Sequence, residues 1–230
     1  MAVTEIACMR VQAGLDVMNE DTTEGQVLHR TWQNVISLPD GPSRVYWGLE
    51  DEEPSKIWAF FDWESVEEHE VFATMYGADA VKDLPKVLAS GEFTKHVSLT
   101  PFPPVALRSP VALIVLTYFA SEISVEEKDR AGSRFKLFIE KGLQESPEVE
   151  AVSFGWGVET DFPVRGGDEG QRGALLTAIV GWSGSDAGLG FEETDGWKES
   201  VEGIEGLEGV VKMAVVHIRC ESLESKIDRA

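Results

Sequence analysis

The sequence predicts an α+β protein made of two tandem ferredoxin-like repeats, each with the element order β-α-β-β-α-β. A proline-rich stretch, PFPPVALRSP at 101–110, lies near the middle of the chain, and the same order of elements appears on both sides of it. Proline lacks a backbone N–H and fixes φ, so this stretch is unsuited to a helix or to the interior of a sheet. We therefore expect a first repeat at 1–103, a linker at 104–109 and a second repeat at 110–230.

Apolar periodicity defines the elements of the first repeat. Strands are expected near 4–12, 43–50, 55–63 and 92–100, a helix near 22–37, and helical residues near 65–75 and 78–89. Ser65 and Glu68 fit a capping box, in which a hydroxyl and a carboxylate satisfy free N–H groups of the first helical turn. The repeat therefore begins and ends with a strand.

The second repeat shows the same pattern. Strands are expected near 110–119, 149–159, 172–182 and 210–220, and helices near 124–145 and 184–206. Ser124 and Glu127 provide a second capping box. Each half is therefore expected to contain two β-α-β segments in succession.

Matching tryptophan motifs indicate that the two halves are copies of one unit. The sequence WGLE at 47–50 matches WGVE at 156–159. Trp63 and Trp182 each end a strand, and each is followed nine residues later by a phenylalanine. The second copy is longer by about ten residues, which we place in the loop at 161–173.

The strands themselves indicate how the two sheets are covered. A four-stranded antiparallel sheet with helices on one face leaves its other face bare. Strands such as ALIVLTYF and ALLTAIV are apolar at both parities, which favours burial on both faces. We therefore predict that the two sheets pack face to face into one intramolecular α+β barrel, and that the chain is a monomer, with further association left open.

Composition excludes several classes of partner. The formal net charge of −21 opposes binding to nucleic acid or to an anionic membrane surface. The N-terminus lacks the pattern of a signal peptide, and the sequence has no apolar run long enough for a membrane span. The two cysteines, Cys8 and Cys220, show no metal-binding spacing and favour a reducing, cytoplasmic location.

His69 is the first candidate for catalysis. On its helix it shares a face with Val66, Phe72 and Tyr76, so it points with apolar residues toward the sheet. A histidine in a partly dry cavity can transfer a proton near neutral pH or ligate haem iron, although it can also be a packed residue bonded to a carbonyl. The matching position of the second copy is Gly188, and this divergence favours a function for His69. Tyr76, on the same face, is the second candidate for catalysis.

Aromatic side chains and a second histidine are the candidates for substrate binding. Trp47, Trp58, Phe72 and His96 lie on predicted strands or on the His69 helix, where they could shape a pocket for a flat molecule or simply pack in the core. No two histidines have a short metal-binding spacing, and no glycine-rich nucleotide motif follows a strand. We therefore expect neither a metal site nor an organic cofactor.

Several of these features resemble one known family. The strand-end Trp63, the S-x-x-E cap at Ser65, the nearby His69 and the WGLE and WGVE strands are similar to the dimeric α+β barrel superfamily. More narrowly they resemble the antibiotic-biosynthesis-monooxygenase-like (ABM) family, in particular tandem fused members from filamentous fungi. The resemblance implies a small, mostly apolar ligand between helices and sheet. Related barrels include cofactor-free quinone-forming monooxygenases, haem-degrading enzymes, polyketide cyclases, decarboxylases and isomerases.

Three functional hypotheses follow from the residues and the resemblance. The first is a cofactor-independent enzyme of secondary metabolism that acts on a polyketide-like or aromatic substrate, as a cyclase, isomerase, decarboxylase or monooxygenase, with His69 as acid or base and Tyr76 beside it. The second is a haem-binding or haem-degrading protein with His69 as axial ligand. The third is a non-catalytic ligand-binding or stress-response barrel.

Overall fold

The structure, a computed structural model, describes residues 1–139, 146–184 and 193–226. The chain divides into two compact units. The first unit combines Met1–His96 with the segment that starts at Cys220, and the second comprises Val97–Arg219. The repeat bounds stay a prediction. They were assigned from similarity between the two halves of the sequence, whereas the two units are defined by contacts in space.

Ten strands and five helices form the described part of the chain. They are β1 (Val3–Val11), α1 (Thr23–Ser37), β2 (Arg44–Leu49), β3 (Lys56–Trp63), α2 (Val66–Phe72), α3 (Ala78–Ala80), β4 (Leu88–Thr100), β5 (Val111–Phe119), α4 (Val125–Phe138), β6 (Val149–Gly157), β7 (Phe162–Pro163), β8 (Arg172–Trp182), α5 (Asp195–Glu205), β9 (Val210–Ile218) and β10 (Glu221–Glu224). No helix among these described residues is long and apolar enough to cross a bilayer.

The strand order confirms two ferredoxin-like repeats. In the first unit the strands are arranged β10-β2-β3-β1-β4, and in the second β6-β8-β5-β9 follow the end of β4. The pairs β1–β3 and β5–β8 are antiparallel, and their registers match between the repeats, because Val3 lies opposite Trp63 and Val111 lies opposite Trp182. Each unit is thus an α+β fold with the same sheet order.

Each sheet packs one face against its helices. In the first unit this face is formed by residues of one parity, such as Val3, Ala7, Phe61 and Trp63, together with the apolar side of α1. The opposite face is buried as well, as Ile6 and Phe60 show. Burial on both faces agrees with the apolar strands of both parities, while closure into a barrel stays a prediction.

The predicted helix over 78–89 is wrong beyond its first turn. The helix α3 covers Ala78–Ala80, a 3-10 turn follows at Leu84–Lys86, and β4 already begins at Leu88. Pro85 accounts for the break, because it cannot donate a hydrogen bond to a helical carbonyl. Between α2 and α3 the backbone forms a π-helical turn at Ala73–Gly77.

The C-terminal end of the chain also differs from its prediction. A single last strand was expected near 210–220, whereas the structure has β9 followed by the separate β10. The strand β10 pairs with β2, with Glu221 opposite Trp47, and so it completes the sheet of the first unit. Parts of the predicted helices 124–145 and 184–206, with Gly188 and Phe191, lie outside the described residues.

The two capping boxes form to different extents. At α4 the Ser124 hydroxyl accepts the N–H of Glu127, and the Glu127 carboxylate accepts the N–H of Ser124. These bonds lower the pKa of the Glu127 carboxyl. At α2 the Ser65 hydroxyl accepts the N–H of Glu68, but the Glu68 carboxylate accepts from Glu64 instead. Ser65 is nevertheless the N-cap that starts α2 two residues after β3.

Gly155 allows β6 to approach β4 closely. A Cβ at this position would collide with the carbonyl oxygen of Ser98, and Gly155 lies opposite Leu99 in the ladder. We expect Gly155→Ala to lower the free energy of unfolding by about 1–3 kcal/mol, because the backbone must shift to admit the methyl group. Urea denaturation measures this change.

Gly91 provides the matched control. It also lies in a strand, β4, but a Cβ there would meet nothing within 4 Å. Gly91→Ala is expected to leave the urea midpoint unchanged or slightly raised. Equal midpoints for the two alanine variants would contradict the close approach of β4 and β6.

Candidate functional site

Glu5 is an acidic side chain on an apolar face. It lies on β1 at the same parity as Val3 and Ala7, which face the helices, and it is only 7% exposed. The indole Nε1–H of Trp63 donates to Oε2 of Glu5 at 2.9 Å. Such a bond is needed because a carboxylate taken out of water without hydrogen bonds is strongly destabilising.

The helix α2 brings His69 to this carboxylate. Ser65 caps the helix just after β3, so His69 lies about one turn beyond the strand end that carries Trp63. The rings of Trp63 and His69 are 4.9 Å apart at a tilt of 32°. The Nε2 atom of His69 lies 3.4 Å from Oε2 of Glu5, which is within ion-pair distance when the imidazole is protonated.

The strand β4 supplies a second histidine. The Nε2 atom of His96 lies 2.8 Å from Nδ1 of His69, a hydrogen bond whose donor depends on the tautomers of the two rings. His96 is buried, whereas the His69 side chain is 19% exposed. Glu5, His69 and His96, here termed the Glu–His–His cluster, therefore form one connected polar group in the first unit.

Aromatic rings extend from the cluster along one side of the helix. Phe72 lies 5.2 Å from the Trp63 ring, and Tyr76 lies 5.5 Å from Phe72. Tyr76 is half-buried and belongs to the π-helical turn, a type of distortion that is frequent at functional sites. Of the predicted site residues, His69, His96 and Phe72 thus lie together, with Tyr76 one ring farther away.

The other two predicted site residues lie elsewhere. Trp47 is on the helix-facing side of the sheet but beside α1, where its ring contacts that of His29 at 5.8 Å. Trp58 has the opposite strand parity to Trp63 and donates its indole N–H to Glu50 at 3.1 Å. The structure therefore does not bring Trp47 or Trp58 to the cluster, and a role for them in substrate binding stays a prediction.

Glu5 and Trp63 are not among the site residues predicted from the sequence, although Trp63 belongs to the strand-end motif that carries the family resemblance. A usable signal exists for Glu5, because it interrupts the apolar parity of β1 between Val3 and Ala7. An acidic residue at a core-facing position is rarely buried without a partner. The partners come from β3, α2 and β4, so no local spacing could identify them.

The cluster offers donor atoms that suit protons and metal ions. One ligand atom each from Glu5, His69 and His96 lies within 4.8 Å of the other two. The prediction of no metal site was based on the absence of short spacings between histidines. His69 and His96 are far apart in the sequence and come together only in the fold. A second group of this kind, formed by Glu20, His29 and Glu221, is more exposed.

The cysteine thiols are disfavoured as nucleophiles near neutral pH. Cys8 is fully buried, and burial raises the pKa of its thiol far above the ordinary range. Cys220 is half-buried, and its burial also raises the pKa of the thiol. Because the thiolate is the reactive form, a raised pKa disfavours both groups as catalytic nucleophiles.

The second unit differs from the first at the equivalent of Glu5. The matching register places Leu113 where the first unit has Glu5, and Trp182 where it has Trp63. Leu113 offers no acceptor for an indole N–H, although its cross-strand neighbour on β9 is a histidine, His217. The carboxylate is thus specific to the first repeat.

Comparison with known proteins places the chain by its fold. No family model and no curated protein matches the sequence. Among solved structures, an anthrone oxidase-like protein covers 100% of this chain and 95% of its own, with 11% identity and a TM-score of 0.68. A candidate monooxygenase from Lactobacillus acidophilus NCFM matches over 97% of this chain and 96% of its own, with 12% identity and a TM-score of 0.60. A candidate monooxygenase from Fusobacterium nucleatum matches over 98% of this chain and 94% of its own, with 8% identity and a TM-score of 0.61.

These likenesses extend over both repeats and confirm the fold. The chain has the α+β architecture of proteins named monooxygenases and anthrone oxidase-like. The narrower resemblance to tandem fungal members of the ABM-like family stays a prediction.

Removal of the indole donor tests the geometry of the cluster. Trp63→Phe keeps a ring against His69 and Phe72 but leaves the buried Glu5 carboxylate without the indole hydrogen bond. We expect the free energy of unfolding to fall by about 2 kcal/mol, the cost typical of a lost hydrogen bond to a buried charged group. The imidazole nitrogen shifts of His69 in NMR spectra are expected to move as well.

Trp58→Phe is the matched control for this variant. It removes an equivalent indole–carboxylate bond, to Glu50, on the other face of the same sheet. We expect a similar loss of stability with unchanged His69 shifts. If both variants moved the His69 resonances equally, the link from Trp63 through Glu5 to His69 would be refuted.

Proposed function

We propose that the protein is an oxygenase of small aromatic or polyketide-like molecules that needs no organic cofactor. The Glu–His–His cluster acts as the base that removes a proton from the substrate. The observation that carries this proposal is the 2.8 Å contact between His69 and His96 beside the buried Glu5 carboxylate. The whole-chain likeness to an anthrone oxidase-like protein supports the choice of substrate class.

The cluster is suited to accept and hold a proton. Histidine is the side chain whose protonation ordinarily changes near neutral pH. A proton at Nε2 of His69 is stabilised by the Glu5 oxygen 3.4 Å away, and the contact with His96 lets the charge spread over two rings. Glu5 therefore stabilises the cation that forms when either imidazole acts as base.

The aromatic neighbours favour a flat substrate. Trp63, Phe72 and Tyr76 form a continuous series of rings next to His69, the most exposed member of the cluster. Aromatic rings bind flat ligands through large apolar contact area, and tyrosine adds one polar hydroxyl. In this proposal Tyr76 contacts the substrate, and its hydroxyl is available to hydrogen-bond a phenolic oxygen.

The proposed reaction is the oxidation of an anthrone. Deprotonation of the methylene carbon gives a delocalised anion, which reacts with molecular oxygen. Loss of water from the resulting peroxide gives the anthraquinone, so that one anthrone and one O₂ yield one anthraquinone and one H₂O. The protein contributes proton removal, orientation of the ring system and exclusion of water.

Related reactions would use the same base. An isomerase, a cyclase or a decarboxylase of aromatic polyketides also begins with movement of a proton, but none of them consumes oxygen. Oxygen uptake therefore separates the proposed oxygenase from these alternatives. A non-catalytic binder would give neither oxygen uptake nor product.

A haem function fits the cluster less well. Both ring nitrogens of His69 lie close to side chains, Nδ1 to His96 and Nε2 to Glu5. His69 would have to give up one of these contacts to hold haem iron, as it must to accept a substrate proton. A haem protein would use one histidine, whereas Glu5, His69 and His96 present three donor atoms close together, and the haem alternative stays a prediction with less support.

The setting of the enzyme is part of the proposal. We propose a cytoplasmic monomer, because Cys8 and Cys220, both within the described residues, are free thiols and because the two repeats occupy one polypeptide. No nucleic acid or membrane surface is proposed as a partner, given the net charge of −21.

Substitution of the histidines tests the role of the cluster. With anthrone as substrate and chelator-treated protein, we expect His69→Gln and His96→Gln to lower kcat by about 10²–10⁴-fold, the usual contribution of a general base. An oxygen electrode and the absorbance of the anthraquinone measure the rate.

His217→Gln is the control, since His217 lies on β9 in the second unit. Its rate is expected to equal that of the wild type. Wild-type rates in correctly folded His69→Gln would refute the proposed base.

A further inference from the structure

We infer that the Glu–His–His cluster is also a binding site for one divalent first-row transition metal ion, and that the bound ion blocks proton transfer. The inference that the cluster binds an ion depends only on the geometry of the cluster. The inference that the ion inhibits the enzyme rests on the proposed function, because the ion and the substrate proton need the same imidazole lone pairs.

The donor set selects this class of ion. Two imidazoles and one carboxylate are the protein ligands of catalytic zinc sites and of non-haem iron(II) sites. Calcium and magnesium prefer oxygen ligands and would be disfavoured by His69 and His96. Zn²⁺ and Co²⁺ are therefore the suitable probes.

The three ligand atoms can close on one ion after a rotation of a histidine ring. Ligand atoms that each lie about 2.1 Å from an ion are roughly 3–4 Å apart. In the structure His69 contacts His96 through Nδ1, at 2.8 Å, and Glu5 through its other nitrogen, Nε2, at 3.4 Å, so one ion can replace only one of these two contacts. One donor atom from each of the three residues already lies within 4.8 Å of the other two, and a ring rotation brings this set to coordination distance.

Surrounding side chains hold the ligands in place. The indole N–H of Trp63 fixes the Glu5 carboxylate, and the Trp63 ring packs on that of His69. Hydrogen bonds of this kind orient metal ligands and are a usual feature of functional metal sites. The ligands come from β1, α2 and β4, so the secondary structure of the first unit sets their positions.

The exposure of the three ligands indicates an open coordination sphere. His69 is partly exposed, while Glu5 and His96 are buried. An ion would enter past His69 and keep water on that side, since three protein ligands leave positions free. This differs from a closed structural site, which has four protein ligands.

The ion and the substrate proton compete. Both need a lone pair of His69 or His96, because metal ions bind histidine in its neutral form. A protein loaded with metal at this site therefore lacks its base. The cluster would make the enzyme sensitive to the concentration of free transition metal ions.

The test uses Co²⁺ as the probe on chelator-treated, dialysed full-length protein. We expect visible d–d absorption that saturates at one ion per chain. Glu5→Gln, His69→Gln and His96→Gln are each expected to weaken binding by about tenfold or more, since each removes a ligand. His29→Gln, which alters the more exposed group of Glu20, His29 and Glu221, is the matched control and should leave the titration unchanged.

Each result bears on one part of the inference. Loss of the Co²⁺ bands in His29→Gln but not in His69→Gln would overturn the site, as would a titration that no variant affects. Near-UV circular dichroism identifies misfolded variants, and wild-type affinity for Co²⁺ in any folded cluster variant also counts against the site.

Turnover of anthrone is measured on the same samples. We expect the rate to fall in proportion to Co²⁺ occupancy, and an unchanged rate at full occupancy would overturn the inhibition. Absence of turnover in metal-free protein would refute the proposed function but not the metal site, which the absorption spectrum tests separately.

Discussion

The antiparallel register between β1 and β3 determines which side chains of the first unit face its helices. Val3 lies opposite Trp63, so Glu5 and Trp63 point to the same face, and the indole N–H reaches the carboxylate. A shift of one residue would send Glu5 to the other face and break this bond, because side chains alternate along a strand. The position of His69 above Glu5 depends on this register, and so does the connection to His96.

Sequence periodicity predicted the fold class and the inward orientation of one member of the Glu–His–His cluster. It placed His69 inward with Phe72, and the structure confirms that both lie against Trp63. It could not place Trp58 on the opposite face from His69, because β3 is apolar at both odd and even positions and the pattern does not show which of them face the helices. It also could not join Glu5 to His69 and His96, because contacts between distant segments are set by tertiary packing and not by local spacing.

The two repeats have diverged in chemistry more than in architecture. Their strand orders and registers agree, yet Leu113 occupies the place of Glu5. A leucine there packs with the core of the second unit, where it needs no hydrogen-bond partner. The core of the second unit is therefore apolar at this point, while the first unit holds a buried carboxyl group there.

The pairing of β10 with β2 has a consequence for biosynthesis. Among the described residues, the edge of β2 is paired by Glu221–Glu224, which follow the whole second unit in the sequence. During translation the first unit thus emerges early but keeps an open strand edge until the whole second unit has left the ribosome. Open edges invite pairing with other chains. An expression fragment that stops after the first repeat would carry the same exposed edge permanently.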